Sequence, residues 1–321
     1  MNILSIYILK VLRKLYSKFF RANTLRRPDC MNDPDITSNI IYDILMDEKP
    51  CLIARFGSVE LACLSNYKAV KFQKSNYIDF VKGKSESWWW NDSILLSMQN
   101  NAGFYPLSVD KIEQFCLIML QDIPIVDILG SWLPGEKLFE KETQNCTKIN
   151  LELLNPYFSK LPWTKALEGK KVLVVHPFAK TIEQQYEKRE LLFSNNLLPK
   201  FQLRTVKAVQ SIGGEVTEFN DWFEALESMK LEIDKEDYDI CLIGCGAYGF
   251  PLAAHVKRMG KKGFHIGGSL QLLFGIRGKR WENENYNDVY NYSKLMNEHW
   301  VKPGEQEKPH NASKVEDACY W

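Results

Sequence analysis

The chain has 321 residues, 45% of them apolar and 25% charged, with a net charge of +1. That balance excludes extended disorder and gives no reason to expect a nucleic-acid partner, while the length suffices for one large α/β domain or two smaller ones. Eight cysteines, at positions 30, 51, 63, 116, 146, 241, 245 and 319, form no Cys-x-x-Cys pair, so they read as reduced, mostly buried thiols of a cytoplasmic protein.

The positive charge is concentrated at the start. Lys10, Arg13, Lys14, Lys18, Arg21, Arg26 and Arg27 all precede the first acidic residue, Asp29, leaving the remainder at about −6. Leu4, Ile8, Val11, Leu12, Leu15 and Phe19 share one face of a helical wheel, with Lys10, Lys14, Ser17, Lys18 and Arg21 largely on the other. Residues 1–28 therefore read as a basic amphipathic helix and linker. Two readings remain open: attachment through residues 1–27 to the cytoplasmic face of an anionic membrane, or packing on the protein's own core with the basic face solvated. The apolar stretch is too short to cross a bilayer, and no secretory signal is expected.

Beyond the Pro- and Asp-rich segment "RRPDCMNDPD", a helix is predicted through "SNIIYDILMDE", capped by Asp35 or Thr37. Cys51 to Ala54 reads as a buried strand, Gly57 as a tight turn, and "SVELACLSNY", capped by Ser58, as the helix that follows. Residues 68–135 are rich in aromatics. Trp88, Trp89 and Trp90 read either as a sugar-stacking platform or as a packed element. "SVDKIEQFCLIMLQDI" is a capped helix leading to a strand at "PIVDIL".

The second half alternates regularly. Strands are predicted at "GKKVLVVHPF", "FQLRTVKAV", "DYDICLIGCG" and "GFHIGG", and helices at "TIEQQYEKRELLF", "NDWFEALESMKLEI" and "PLAAHVKRMG". This alternation predicts a Rossmann-like α/β fold, a mostly parallel sheet with helices on both faces and ligands at the carboxyl ends of its strands. Residues 29–321 are taken as one domain, with possible sub-lobes 29–165 and 166–321.

Gly244, Gly246 and Gly249 spell Gly-x-Gly-x-x-Gly between a strand and a helix, the context in which backbone N–H groups hold a phosphate. A dinucleotide site also wants an acid at the end of the next strand, and "FHIGGSLQ" has none. The turn then reads as close packing or as a seat for another diphosphate. Cys245 as a nucleophile would need a base such as His255 or His265 within reach.

"IARFGSVEL" places Arg55, Phe56, Gly57 and Glu60 at the carboxyl edge of the first strand. It resembles the Arg-Phe-Gly-Asp-Gly-Glu signature of the GT-D-fold glycosyltransferases. "VHPFAKTIEQQYEKR", "LPKFQLRTVKAVQS", the glycine-turn segment through "GIRGKRW" and the terminal "CYW" also look like proteins associated with bacterial surface glycans. The resemblance implies a GT-D-like fold and transfer of a sugar from a nucleotide-sugar donor. The acceptor it implies is a lipid-linked or oligosaccharide glycan in surface polysaccharide synthesis, such as capsule or lipopolysaccharide.

Arg55, Gly57 and Glu60 match the signature, and Ser58 replaces the first carboxylate of its Asp-x-Glu pair. The resemblance thus implies a divalent cation, Mn²⁺ or Mg²⁺, on Glu60 and more weakly on Ser58. Expected catalytic residues are Glu60, Arg55 and His176. Expected donor contacts are Gly57, Lys180, Arg189, Gly244, Gly246, Tyr248, Gly267, Gly268, Gln271 and Arg280. Asp221 and Glu183 are further acids near strand ends. Two alternatives remain: a non-catalytic, membrane-peripheral scaffold subunit of the same machinery, and an enzyme using a nicotinamide or methyl-donor cofactor.

Overall fold

The alternation of apolar runs and helical periods resolves into one sheet. The computed structural model describes residues 2–20, 25–314 and 318–321, so Arg21 of the basic face lies outside the described residues. The strands are β1 (Cys51–Arg55), β2 (Ile128–Ser131), β3 (Thr147–Asn150), β4 (Lys171–His176), β5 (Gln202–Lys207), β6 (Ile240–Ile243) and β7 (Lys262–His265). Their order is β3-β2-β1-β7-β6-β4-β5, with every neighbouring pair parallel. Residues 29–165 supply the first three strands and 166–321 the other four, and β1 joins the two sets by pairing with β7.

The helices are α1 (Ile3–Phe19), α2 (Pro34–Met46), α3 (Ser58–Phe72), α4 (Tyr77–Val81), α5 (Asp92–Asn100) and α6 (Val109–Asp122) in the first half. The second half adds α7 (Ala179–Tyr186), α8 (Arg189–Leu192), α9 (Trp222–Lys235), α10 (Gly249–Arg258), α11 (Leu270–Leu273) and α12 (Lys279–Glu282). Strand side chains alternate between two cores. Leu52, Ala54, Leu173, Val175, Cys241 and Ile243 pack with α3, α6, α9 and α10. Ile53, Val172, Val174, Ile240, Leu242 and Phe264 pack with α2, α7 and α11 on the other face. Strands buried on both sides read as continuous apolar runs, which is why they were visible in the sequence.

Helix α10 rests almost on the backbone of β7. A Cβ at Gly263 would stand 2.3 Å from the Ala253 carbonyl oxygen, so only glycine permits this approach.

Several boundaries differ from expectation for local reasons. Helix α2 starts at Pro34 under the Asp33 cap, whose Oδ1 accepts the Ile36 N–H at 2.9 Å; proline needs no partner at a first helical position. Gly57, not Ser58, is the N-cap of α3. Pro124 turns residues Ile123–Ile125 into a 3₁₀ turn, delaying β2. The expected helix after β4 breaks into α7 and α8, and the predicted strand through "IGG" stops at His265. Strand β3, short and polar at the sheet edge, had no apolar signature; Met31 of the linker bridges to it at Ile149.

Helix α1 bears two stripes. Leu9, 6% exposed, and Ile6 pack against Phe80, Trp88 and Trp89. Arg13, one of the basic residues ahead of Asp29, turns to the body, its guanidinium 4.6 Å from the Phe80 ring centroid and donating to the Ser85 carbonyl at 3.2 Å. Leu4, Ile8, Val11, Leu12, Leu15 and Phe19 are all exposed, with Leu4 at 63% and Phe19 at 78%. The apolar face therefore points outward, flanked by exposed Lys10, Lys14 and Lys18, rather than into the protein's own core. Among the described residues no helix is long and apolar enough to cross a membrane.

Gly263→Ala is expected to lower stability by about 2–4 kcal/mol, because the obstacle is backbone rather than a movable side chain. Denaturant titration checks this; an unchanged midpoint would contradict the packing described for α10 and β7.

Candidate functional site

The chain leaves β1 toward α3 on one face and β7 toward α11 on the other, while β6 and β4 likewise send α10 and α7 to opposite faces. Such reversals open a crevice at the carboxyl ends of parallel strands. A cavity of about 420 Å³ occupies this place, lined by Arg55, His176, Gly244, Cys245, Gly246 and residues 265–269.

In the Arg-Phe-Gly turn each side chain has a separate task. Phe56 is fully buried and stacks on Phe250 of α10, with centroids 5.3 Å apart, which pins the turn. Arg55 is thereby directed into the cavity, its guanidinium 5.6 Å from the Trp132 ring, while Trp132 Nε1 donates to the Phe56 carbonyl at 3.0 Å. Among the described residues Arg55 forms no ion pair. The Glu60 carboxyl folds back over Gly57, where an added Cβ would lie 1.8 Å from Oε2. Glu60 lines the cavity and also places negative charge at the start of α3.

The glycine turn serves the chain's own packing. A Cβ at Gly244 would meet the Gly267 carbonyl at 2.6 Å and the His176 ring at 2.8 Å, and one at Gly249 would stand 2.2 Å from the His265 ring. Gly246 and Gly267 adopt φ of +56° and +85°, the left-handed region that glycine tolerates. A Cβ at Gly268 would collide with Tyr320. Tyr248 stacks on Trp222 at 4.9 Å and its hydroxyl lies 3.2 Å from Ser211 Oγ. Burial pushes the Cys245 thiol far up, which removes the thiolate a nucleophile requires.

Two histidines end strands here. His176 Nδ1 accepts the Phe178 N–H at 3.0 Å, so the ring is neutral and its proton sits on Nε2. His265, which the sequence reading weighed only as a partner for Cys245, lies in register with Ile243 of β6 and has Nδ1 3.4 Å from that residue's carbonyl. Burial lowers both pKa values to about 3, with Arg55 adding to the effect at His265. His176 is thus suited to donate a hydrogen bond to an anion, not to shuttle protons near neutrality.

The remaining wall comes from residues the sequence reading did not select. Glu152 and Asn155 follow the unread strand β3, and Trp281, Tyr286, Tyr320 and Trp321 bring the end of the chain over the cavity. Arg280 joins them, its guanidinium 5.0 Å from the Tyr320 ring. Gln271 is fully buried and its Nε2 donates to the carbonyls of Ile276, Arg277 and Tyr320, so it ties down this closing segment.

Lys180 and Arg189 are not brought to the cavity. Lys180 is exposed, and the first turn of α7 is already filled by Glu307, which accepts the Lys180 N–H at 3.0 Å and the Thr181 hydroxyl. Arg189 pairs with Glu190 at 2.5 Å and lies against Tyr186. Asp221 caps α9 and pairs with Lys111, Glu183 accepts the Thr205 hydroxyl, and His255 pairs with Asp234. The three tryptophans form a packed element: Trp88 and Trp89 lie with Phe80 beneath α1, and Trp90 against Tyr67.

A divalent cation finds a poor donor set. Ser58 is exposed and uncharged, Glu60 is folded over Gly57, and among the described residues no three His, Cys, Asp or Glu side chains converge. Among the described residues the donor set does not fit a metal held by the protein. No family model, curated protein or solved structure matches the chain.

The buried histidines imply acid lability. Their folded pKa lies below the unfolded value, so the stability is fully present above pH 6.5 and is lost as pH falls toward 3. Each ring should cost about 2 kcal/mol at pH 5 relative to pH 7.5. Chemical denaturation at the two pH values measures this, and His176→Gln should flatten the dependence; an equal slope in the variant would contradict the assignment.

Proposed function

We propose that the chain is a glycosyltransferase that takes a nucleotide-sugar donor and adds its sugar to a lipid-linked or oligosaccharide acceptor of a bacterial surface glycan. The observation that carries this reading is the pairing of two guanidiniums, Arg55 and Arg280, with aromatic walls in one cavity at the strand ends. Guanidiniums neutralise a departing diphosphate by charge-assisted hydrogen bonds, and Trp132, Trp281 and Tyr320 offer faces for a sugar or base. His176 Nε2–H supplies a neutral donor at the cavity wall. The absence of an acid at the end of β7 weighs against a nicotinamide or methyl-donor cofactor.

Transfer or hydrolysis across UDP-, GDP- and CMP-sugars tests the reading. Arg55→Ala and Glu60→Ala are each expected to lower kcat/KM by about 10- to 100-fold, and activity should survive EDTA. Full activity in both variants would refute this site. The second reading, a non-catalytic scaffold subunit, is favoured by Ser58; it predicts no thermal shift with any nucleotide and no turnover.

We also infer that α1 seats the protein on the cytoplasmic face of the membrane, the outward apolar stripe entering the headgroup boundary and Lys10, Lys14 and Lys18 meeting anionic lipid. Ile8→Glu with Leu15→Glu should abolish co-sedimentation with anionic vesicles and leave the thermal midpoint unchanged, since both side chains are exposed. Undiminished sedimentation would refute it.

A further inference from the structure

Resting on the transferase reading, we propose that Glu152 is the general base that takes the proton from the acceptor hydroxyl. It is one of two carboxylates lining the cavity among the described residues, and Glu60, the other, is folded over the start of α3.

Glu152 is held from behind. Asn155 Nδ2 donates to the Tyr292 hydroxyl at 2.9 Å, and that hydroxyl donates to Glu152 Oε2. The Asn287 side chain adds a second hydrogen bond, and Asn287 is itself fixed by accepting the N–H groups of Val289 and Tyr290 at 2.9 Å. The charged groups facing the carboxyl are Arg55 from β1 and Arg280 from α12; Tyr286, Tyr290 and Tyr292 are the titratable neighbours. Burial raises its pKa above the ordinary carboxylate value while the arginines and hydrogen bonds favour the ionised form. A carboxylate so placed is more basic than a solvated one.

In the transfer, the acceptor oxygen forms a bond to the anomeric carbon as the bond from that carbon to the diphosphate oxygen breaks. The electron pair leaves with the nucleoside diphosphate beside Arg55 and Arg280, and the acceptor proton passes to Glu152. A single displacement of this kind inverts the anomeric configuration.

The test measures turnover and donor-product binding with whichever donor the wild type accepts, using the matching nucleoside diphosphate as binding probe. Glu152→Gln should lower kcat by about 100-fold or more while the nucleoside diphosphate Kd stays within about threefold. Loss of less than about tenfold would overturn the proposal. If that variant is misfolded, Tyr292→Phe decides: removing its hydrogen bond should move the acid limb of the pH–kcat profile upward, and an unmoved limb would overturn the proposal. A wild type that turns over no donor refutes the transferase reading and this inference with it, whereas active wild type with active Glu152→Gln refutes this inference alone.

Discussion

The carboxyl edge of the sheet depends on backbone approaching backbone and ring where a Cβ would otherwise stand. Gly263 lets α10 settle on β7, Gly244 admits the Gly267 carbonyl and the His176 ring, and Gly249 admits His265. The approaches at Gly244 and Gly249 draw the carboxyl ends of β4, β6 and β7 together, where His176, Gly244 and His265 form one side of the cavity, while Gly263 seats α10 at the other end of β7. A strand-to-helix turn of this composition is therefore a packing device before it is a phosphate cradle. The spacing shared with dinucleotide sites reflects a common need for tightness.

Against that uncharged side stand Arg55 and Arg280, whose positive charge faces Glu152. The two histidines add no charge, because burial keeps them neutral. The cavity thus has a polar axis, with cations near β1 and α12 and hydrogen-bonding but uncharged groups near β4 and β6. A ligand with one anionic end and one hydroxyl-rich end matches that axis.

Much of the fold was legible because fully buried parallel strands write themselves as apolar runs, and the helices that Ser108 and Asp221 cap lie where the sequence placed them. What escaped notice was short, polar or remote. Strand β3 carries one buried side chain, Ile149, so neither it nor Glu152 just beyond it could be recognised. Arg55, Glu60, His176 and Arg280 did converge, as the turn and strand-end arguments expected. Lys180 and Arg189 did not, since sequence proximity to β4 says nothing of where a side chain on the far side of a helix goes. The return of Tyr320 and Trp321 over the cavity is a long-range contact that no local pattern encodes.

Glu307 has a consequence for where an anion can bind. The start of α7 offers the oriented N–H groups that a phosphate would seek, and a carboxylate of the same chain already holds them. A tethered competitor acts at an effective concentration on the order of millimolar or above, so free anions at lower levels do not displace it. The helix that follows β4 is thereby taken out of competition, so under the proposed function discrimination between a carboxylate, a phosphate and a diphosphate would fall to the planar guanidiniums of Arg55 and Arg280.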